Sequence, residues 1–416
     1  GNQDLGFGHN CNAGGVGGKG QKSDAWRGRA SVRPVSGRGF RYDAEIVMRL
    51  GFVFWLMTAQ VWGQPAATHV DVFRAGEGGY AAYRIPAIVT AADGTLLAFA
   101  EARKENRGDP GGGDIDLVMS RSTDSGATWS AMVVVDDPGE KWAASNPTPL
   151  LDRSNGRLWL FYNRWEPGFG TVRSQPGTRN NQMWARTSED HGLTWSEARD
   201  LTRESRNVEE WGAMFLGPGG AIQTRSGRLL VPAAMKPDAY SVLGETAKGM
   251  GPVGLMRAYA LISDDHGRSW RRGALIGALT NENQLVELAD GRILMDARQN
   301  AGEHRWLITS VDGGVSWETP RPGMTMRMVA TGIERLPDGR LLWTGPALPG
   351  RLNLVARLSG DGGETWPVEV PLYEGFSAYS DITLLATGEA GVLWERGEKS
   401  SYEAVSFLRL PREVLK

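Results

Sequence analysis

Ser122-Thr-Asp124-Ser-Gly126-Ala-Thr128-Trp129 decides the fold, because the same phrase returns as Ser188–Trp195, Ser263–Trp270, Ser310–Trp317 and Ser359–Trp366. Every copy reads Ser-x-Asp-x-Gly-x-Thr/Ser-Trp. Ser and Asp hydrogen-bond their own backbone to form a tight turn, Gly supplies the positive φ, and Trp opens the next strand with an apolar anchor. Each copy follows a β-rich run such as Asp116-Leu-Val-Met-Ser120 or Leu354-Val-Ala-Arg-Leu358, so it reads as a hairpin corner. A second turn-plus-strand repeat precedes each corner: Asp93-Gly-Thr-Leu-Leu97, Asn155-Gly-Arg-Leu158, Ser226-Gly-Arg-Leu-Leu230, Asp290-Gly-Arg-Ile-Leu294, Asp338-Gly-Arg-Leu-Leu342 and, more loosely, Gly388-Glu-Ala-Gly-Val-Leu393. A few short antiparallel strands cannot bury a face alone, and radial arrangement of the units solves this. The expected fold is all-β, a six-bladed β-propeller.

With 416 residues, 41% hydrophobic and 23% charged, the chain has an ordinary globular composition. The repeat run from Phe73 to Leu410 argues for one domain despite the length. Lys plus Arg number 46 and Asp plus Glu 48, so no global charge points to nucleic acid or a membrane surface.

Residues 1–47 differ in composition from the rest of the chain: eleven glycines, hardly any apolar periodicity, and the chain's one cysteine, Cys11. They read as disordered or as a non-native extension. Gly15-Val-Gly17-Gly-Lys-Gly20 matches a dinucleotide fingerprint without the strand and helix that would give it meaning. Residues 48–63 read as a signal peptide: Met48-Arg49, an apolar run from Leu50 to Ala59 too short for a bilayer, then Val61 and Gly63 ahead of a cut before Gln64. The expected mature chain, 64–416, is then secreted or periplasmic and lacks cysteine.

The five box aspartates are turn formers on the outer rim of such a fold, so chemistry has to come from elsewhere. Tyr83-Arg84-Ile85-Pro86 places an arginine inside an apolar strand, where it needs an anionic partner or an anionic ligand. The five histidines are scattered, and Asp114-x-Asp116 lacks the rest of an EF-hand loop, so no metal or cofactor is expected.

Tyr-Arg-Ile-Pro followed by five Asp boxes resembles the sialidases (neuraminidases), over about Val70 to Leu410. The resemblance implies three arginines that hold a sialic acid carboxylate, a grip suited to a planar, always-charged guanidinium. Arg84, Arg298 and Arg351 match them, with Arg357 competing for the third place. It implies a tyrosine nucleophile, matched by Tyr379 in Ser377-Ala-Tyr379-Ser380-Asp381, with Glu282 as its base. A neutral phenol approaches the carboxylate-bearing carbon without the repulsion an anionic Asp or Glu would meet. It also implies an aspartate acid/base, matched by Asp109 with Asp114 as runner-up, and a sugar-contacting arginine, matched by Arg103. Glu209, Glu210, Trp211, Met214 and Phe215 are candidates to wall the pocket, and Asn146 to face the axis. The implied activity is exo-α-sialidase, retaining hydrolysis through a glycosyl-tyrosine, acting as a monomer on sialylated glycans. A non-catalytic glycan-binding propeller and an enzyme for another acidic sugar are the alternatives.

Overall fold

A computed structural model describes residues 68–237, 255–277, 279–299, 302–326, 329–347 and 350–415. Residues 1–47, expected to be disordered or a non-native extension, and residues 48–63, expected to be a signal peptide, lie outside the described residues. The regular elements among the described residues are β-strands apart from one helical turn, Thr202–Ser205, and none is a helix long and apolar enough to cross a membrane.

The strands follow one another as antiparallel neighbours. In the first set Ala82–Thr90 pairs with Leu96–Arg103, which pairs with Ile115–Ser122, which pairs with Val133–Asp136. The pattern recurs from Ala143–Asp152 to Arg199–Asp200 and from Thr280–Glu287 to Arg321–Thr325. The 17-residue strand Val368–Leu384 serves two sets: its first half pairs with Leu352–Ser359 and its second half with Ala390–Gly397. The strand His69–Arg74 lies antiparallel on the strand Ala404–Leu410.

The boxes do more than turn the chain. In the first, Ser122 Oγ accepts from Gly126 N–H at 2.9 Å, and Asp124 Oδ1 accepts from Thr128 N–H at 2.9 Å. These bonds, Thr128 foremost, hold the Asp124 carboxyl down at about 2. Gly126 has φ +87°, and a Cβ there would lie 1.9 Å from Phe407 of the last strand. Trp129 meets the same Phe407 edge-on at 5.3 Å. The relation recurs at Gly192 against Leu97 and at Gly267 against Trp159. Each of these boxes therefore clamps its own sheet onto the preceding one. Gly126→Ala combines a disfavoured φ with an overpacked contact, so it should destabilise by about 1–3 kcal/mol. Denaturant unfolding checks this, and the activity of the folded fraction should be unchanged.

On the inner side, polar groups tie neighbouring sets together. Glu101 accepts from Asn146 N–H at 3.0 Å, and Asn146 Nδ2 donates to Leu216 O at 2.6 Å. Asn283 Nδ2 donates to Ala233 O at 3.1 Å, and Ile333 N–H to Gln284 Oε1 at 3.0 Å. Gly332 N–H reaches Ser380 Oγ at 3.4 Å, and Ile88 N–H reaches Asp381 Oδ2 at 2.8 Å. The circuit so returns to the strand Ala82–Thr90, next to the one that carries Glu101.

Burial pushes the Asp381 carboxyl up to about 6, against the hydrogen bonds that favour its charge. A carboxyl raised in the folded state contributes stability below its unfolded value, near 4, that is lost as pH climbs through about 6. The stability of the native protein relative to Asp381→Asn should fall by up to ~3 kcal/mol between pH 4 and pH 7, a slope the asparagine cannot produce. Unfolding midpoints of the pair across that range measure it. A pH-independent difference would contradict the burial argument.

Candidate active site

Inner strands break register where the cavity opens. The ladder of Ala82–Thr90 shifts between Arg84 and Ala87, that of Ala143–Asp152 between Ser145 and Thr148, that of Thr280–Glu287 between Thr280 and Asn283, and that of Val368–Leu384 between Ser377 and Ser380. Such bulges re-aim side chains that strict alternation would send to opposite faces. Two carry backbone strain, with Ile85 at φ +59° and Asn146 at φ +54°, each followed by a proline that has no N–H to lose from the ladder. A β-branched residue in this region is costly and persists only where its surroundings fix it. Here the Ile85 N–H donates to Glu395 Oε1 at 2.9 Å.

The bulges bring together residues far apart in sequence. Arg84, Arg298, Arg351, Tyr379, Glu282, Asp109 and Arg103 all line one cavity of about 680 Å³. Tyr379 Oη donates to Glu282 Oε1 at 2.5 Å, and Arg298 Nη1 donates to Glu282 Oε2 at 2.5 Å and to Tyr379 Oη at 3.0 Å. The guanidinium carbons of Arg84 and Arg351 lie 5.3 and 5.7 Å from the centre of the Tyr379 ring. Burial, then the charge of Glu282, pushes the Tyr379 phenol above its usual range, with Arg298 and Arg84 pulling the other way. The group is a neutral phenol hydrogen-bonded to a carboxylate, the arrangement a weak nucleophile needs.

Arg84 is 6% exposed. Its Nε donates to Glu395 Oε1 at 3.0 Å, and its guanidinium stacks on Tyr402 at 4.4 Å. Burial works against its charge, but Glu395 and the two tyrosines raise its pKa above the ordinary arginine value. Glu395 also accepts from Tyr379 N–H at 3.3 Å, so one carboxylate fixes arginine and tyrosine strands together. Tyr402 Oη accepts from Arg351 Nη1. Glu101 holds the buried Arg103 through Nε at 3.0 Å and Nη2 at 2.5 Å. Glu395, Tyr402 and Glu101 were not among the sequence candidates. Arg84 in an apolar strand signalled an anionic partner or an anionic ligand, but not which residue or where.

Asp109 sits on the loop between Leu96–Arg103 and Ile115–Ser122, its side chain 80% exposed. Oδ1 lies 3.2 Å from both Arg84 Nη1 and Arg103 Nη1. Arg103 Nη1 also donates to the carbonyls of Arg107 and Gly108, which shapes the loop. Nearby, Gly111 and Gly170 bring two loops into backbone contact, since a Cβ on Gly170 would lie 2.1 Å from Pro110 O.

Other candidates are placed elsewhere. Arg357 pairs with Glu369 at 2.8 Å and stacks on Trp343, away from the cavity. Asp114 is turned from the cavity toward Lys104, whose Nζ lies 2.9 Å from it and 3.1 Å from Asp116. With Asp137 these form an acidic cluster whose balancing cation is that lysine. Asn146 and Phe215 line the cavity; Met214 is in the core and Glu209 and Glu210 are exposed. Trp165, Val172 and Met256 complete an apolar wall.

Residues 94–392 match the model of the BNR repeat-like domain. The sialidase of Micromonospora viridifaciens is 33% identical over 368 residues, which cover 82% of this chain and 54% of that protein, so the chain spans about half the relative's length. Among solved structures, Hadza microbial sialidase Hz136 aligns with TM-score 0.73 and 26% identity over 83% of this chain and 69% of that one. Trypanosoma rangeli sialidase in complex with 2,3-difluorosialic acid, a covalent intermediate, aligns with TM-score 0.68 over 85% of this chain and 60% of that one; at 17% identity it speaks for the fold alone. The family model covers well over half of the chain and the Micromonospora relative passes 30% identity across most of it: this protein is a member of the sialidase family.

Proposed function

We propose that the chain is a retaining exo-α-sialidase built on a six-bladed propeller, with sialylated glycans as its substrates. The observation that carries the reading is the Tyr379–Glu282 bond of 2.5 Å in a cavity that also presents Arg84, Arg298 and Arg351. The inner circuit of hydrogen bonds and the pairing of first and last strands support the closed fold. The three guanidinium groups grip the sugar carboxylate. Glu282 takes the phenol proton as Tyr379 attacks the anomeric carbon, the glycosidic bond breaks, and Asp109 gives its proton to the departing oxygen. Water then attacks the glycosyl-tyrosine, with Asp109 accepting its proton and the phenol regaining its own from Glu282, so configuration is retained. Before the sugar arrives, Asp109 occupies part of Arg84; the incoming carboxylate displaces it and leaves it free to act as acid. No step calls on a cofactor.

Incubation of the full chain with a fluorogenic sialoside tests this, together with 2,3-difluorosialic acid, whose reaction should add one sugar mass to Tyr379. Turnover of an aryl uronoside in place of the sialoside would favour an enzyme for another acidic sugar. Sialoside binding without turnover would favour a non-catalytic glycan-binding propeller.

A further inference from the structure

One register step below the cavity floor, a second group of polar residues repeats the first. Asp381 follows Tyr379 by two residues, Gln284 follows Glu282 by two, and Ile88 lies four beyond Arg84 across a bulge. Asp381, Gln284 and Ile88 are 1%, 3% and 2% exposed. Asp381 Oδ2 accepts from Ile88 N–H at 2.8 Å, and Oδ1 accepts from Gln284 Nε2 at 2.9 Å and from Gly220 N–H at 3.3 Å. Gln284 Oε1 accepts from Ile333 N–H at 3.0 Å, which brings in another inner strand. The loop reaches this point because Gly219 has no side chain: a Cβ there would lie 1.8 Å from Gln284 Nε2 and 2.9 Å from Asp381 Oδ1.

We propose that Asp381 is a positioning residue for the nucleophile, locking the strand that carries Tyr379 in register with the strands that carry Glu282 and Arg84. The inference rests on the sialidase reading of the cavity. Three N–H donors converge on the carboxylate, so the position requires a group that only accepts. An asparagine must turn its own N–H₂ toward at least one of them, leaving a buried donor unpaired and the strands free to shift. Binding of the sugar carboxylate draws on three arginines, whereas attack depends on one Tyr379 oxygen and its alignment with Glu282. Misplacement therefore falls on the chemical step.

The test uses full-chain Asp381→Asn and Gln284→Met. Capture of Tyr379 by 2,3-difluorosialic acid, and kcat on the fluorogenic sialoside, should slow by about ten- to a hundredfold. Affinity for an unreactive 2,3-dehydro sialic acid, and KM, should stay within about threefold of the native values. Capture at the native rate in either variant overturns the proposal, as does equal loss of capture and binding in both variants, which marks a merely structural role. If the native chain is neither active nor captured, the sialidase reading itself fails; native activity with a fully active Asp381→Asn defeats only this inference.

Discussion

Replacing Tyr379 with phenylalanine should lower kcat on a sialoside by on the order of 10³ or more and leave the affinity for a non-reacting sialic acid analogue nearly unchanged. Two features of the cavity set this split. The phenol oxygen lies 2.5 Å from Glu282 Oε1 and can give up a proton and then form a bond, and no cysteine, serine or histidine is among the described lining residues. The carboxylate grip is separate, because Arg84 is held by Glu395, Arg298 by Glu282 and Arg351 by Tyr402, and only Arg298 donates to the tyrosine itself. The phenyl ring keeps the face over which Arg84 and Arg351 lie. Single-turnover kinetics and calorimetric binding on the same preparation measure both halves. Activity within about tenfold of the native protein would remove Tyr379 from the chemistry.

The sequence carried the repeats because each box uses local chemistry that no distant residue can replace. Ser, Asp and Thr of one octapeptide satisfy one another, and its Gly and Trp fill a fixed place on the neighbouring sheet. Arg84 stood out for a related reason, since a charge between Tyr83 and Ile85-Pro86 contradicts its apolar surroundings. Its partner did not. Glu395 lies 311 residues away and reaches Arg84 from the last sheet, so the pair exists only once the chain has folded. Glu101 and Asp381 are hidden in the same way: each reads as one acidic residue in an apolar strand, and its worth depends on which backbone donors meet it. The bulges were equally illegible. Strict alternation does not put both Asn281 and Glu282 on the cavity, and the register shift between Thr280 and Asn283 does. Strict alternation puts Arg351 and Arg357, six residues apart, on one face; the register shifts between Leu352 and Val355 separate them, and Arg357 goes to the outer pair with Glu369.

Asp109→Asn should divide substrates by leaving group. On a sialyl-lactose, whose departing sugar hydroxyl needs a proton, kcat/KM should fall by about 10²- to 10⁴-fold. On an aryl sialoside that departs as a stable phenolate, it should fall by less than about tenfold, because little proton transfer is needed to reach that transition state. The later hydrolysis step still needs a base, so the aryl substrate should show a burst followed by slow turnover. The position supports an acid of this kind: the side chain is largely exposed on a loop that lines the cavity, whereas Tyr379 and Glu282 are buried, and it is tied only to Arg84 and Arg103. Removing its charge also frees Arg84 for the sugar carboxylate, so KM for the aryl substrate should fall rather than rise. Asp114→Asn is the control. That carboxylate faces Lys104 and Asp116 and accepts the Lys141 N–H, so its loss should cost stability and leave the leaving-group dependence as it is in the native protein. If Asp114→Asn, and not Asp109→Asn, splits the two substrates, the roles of the two aspartates are reversed and the loop must rearrange to bring Asp114 to the sugar.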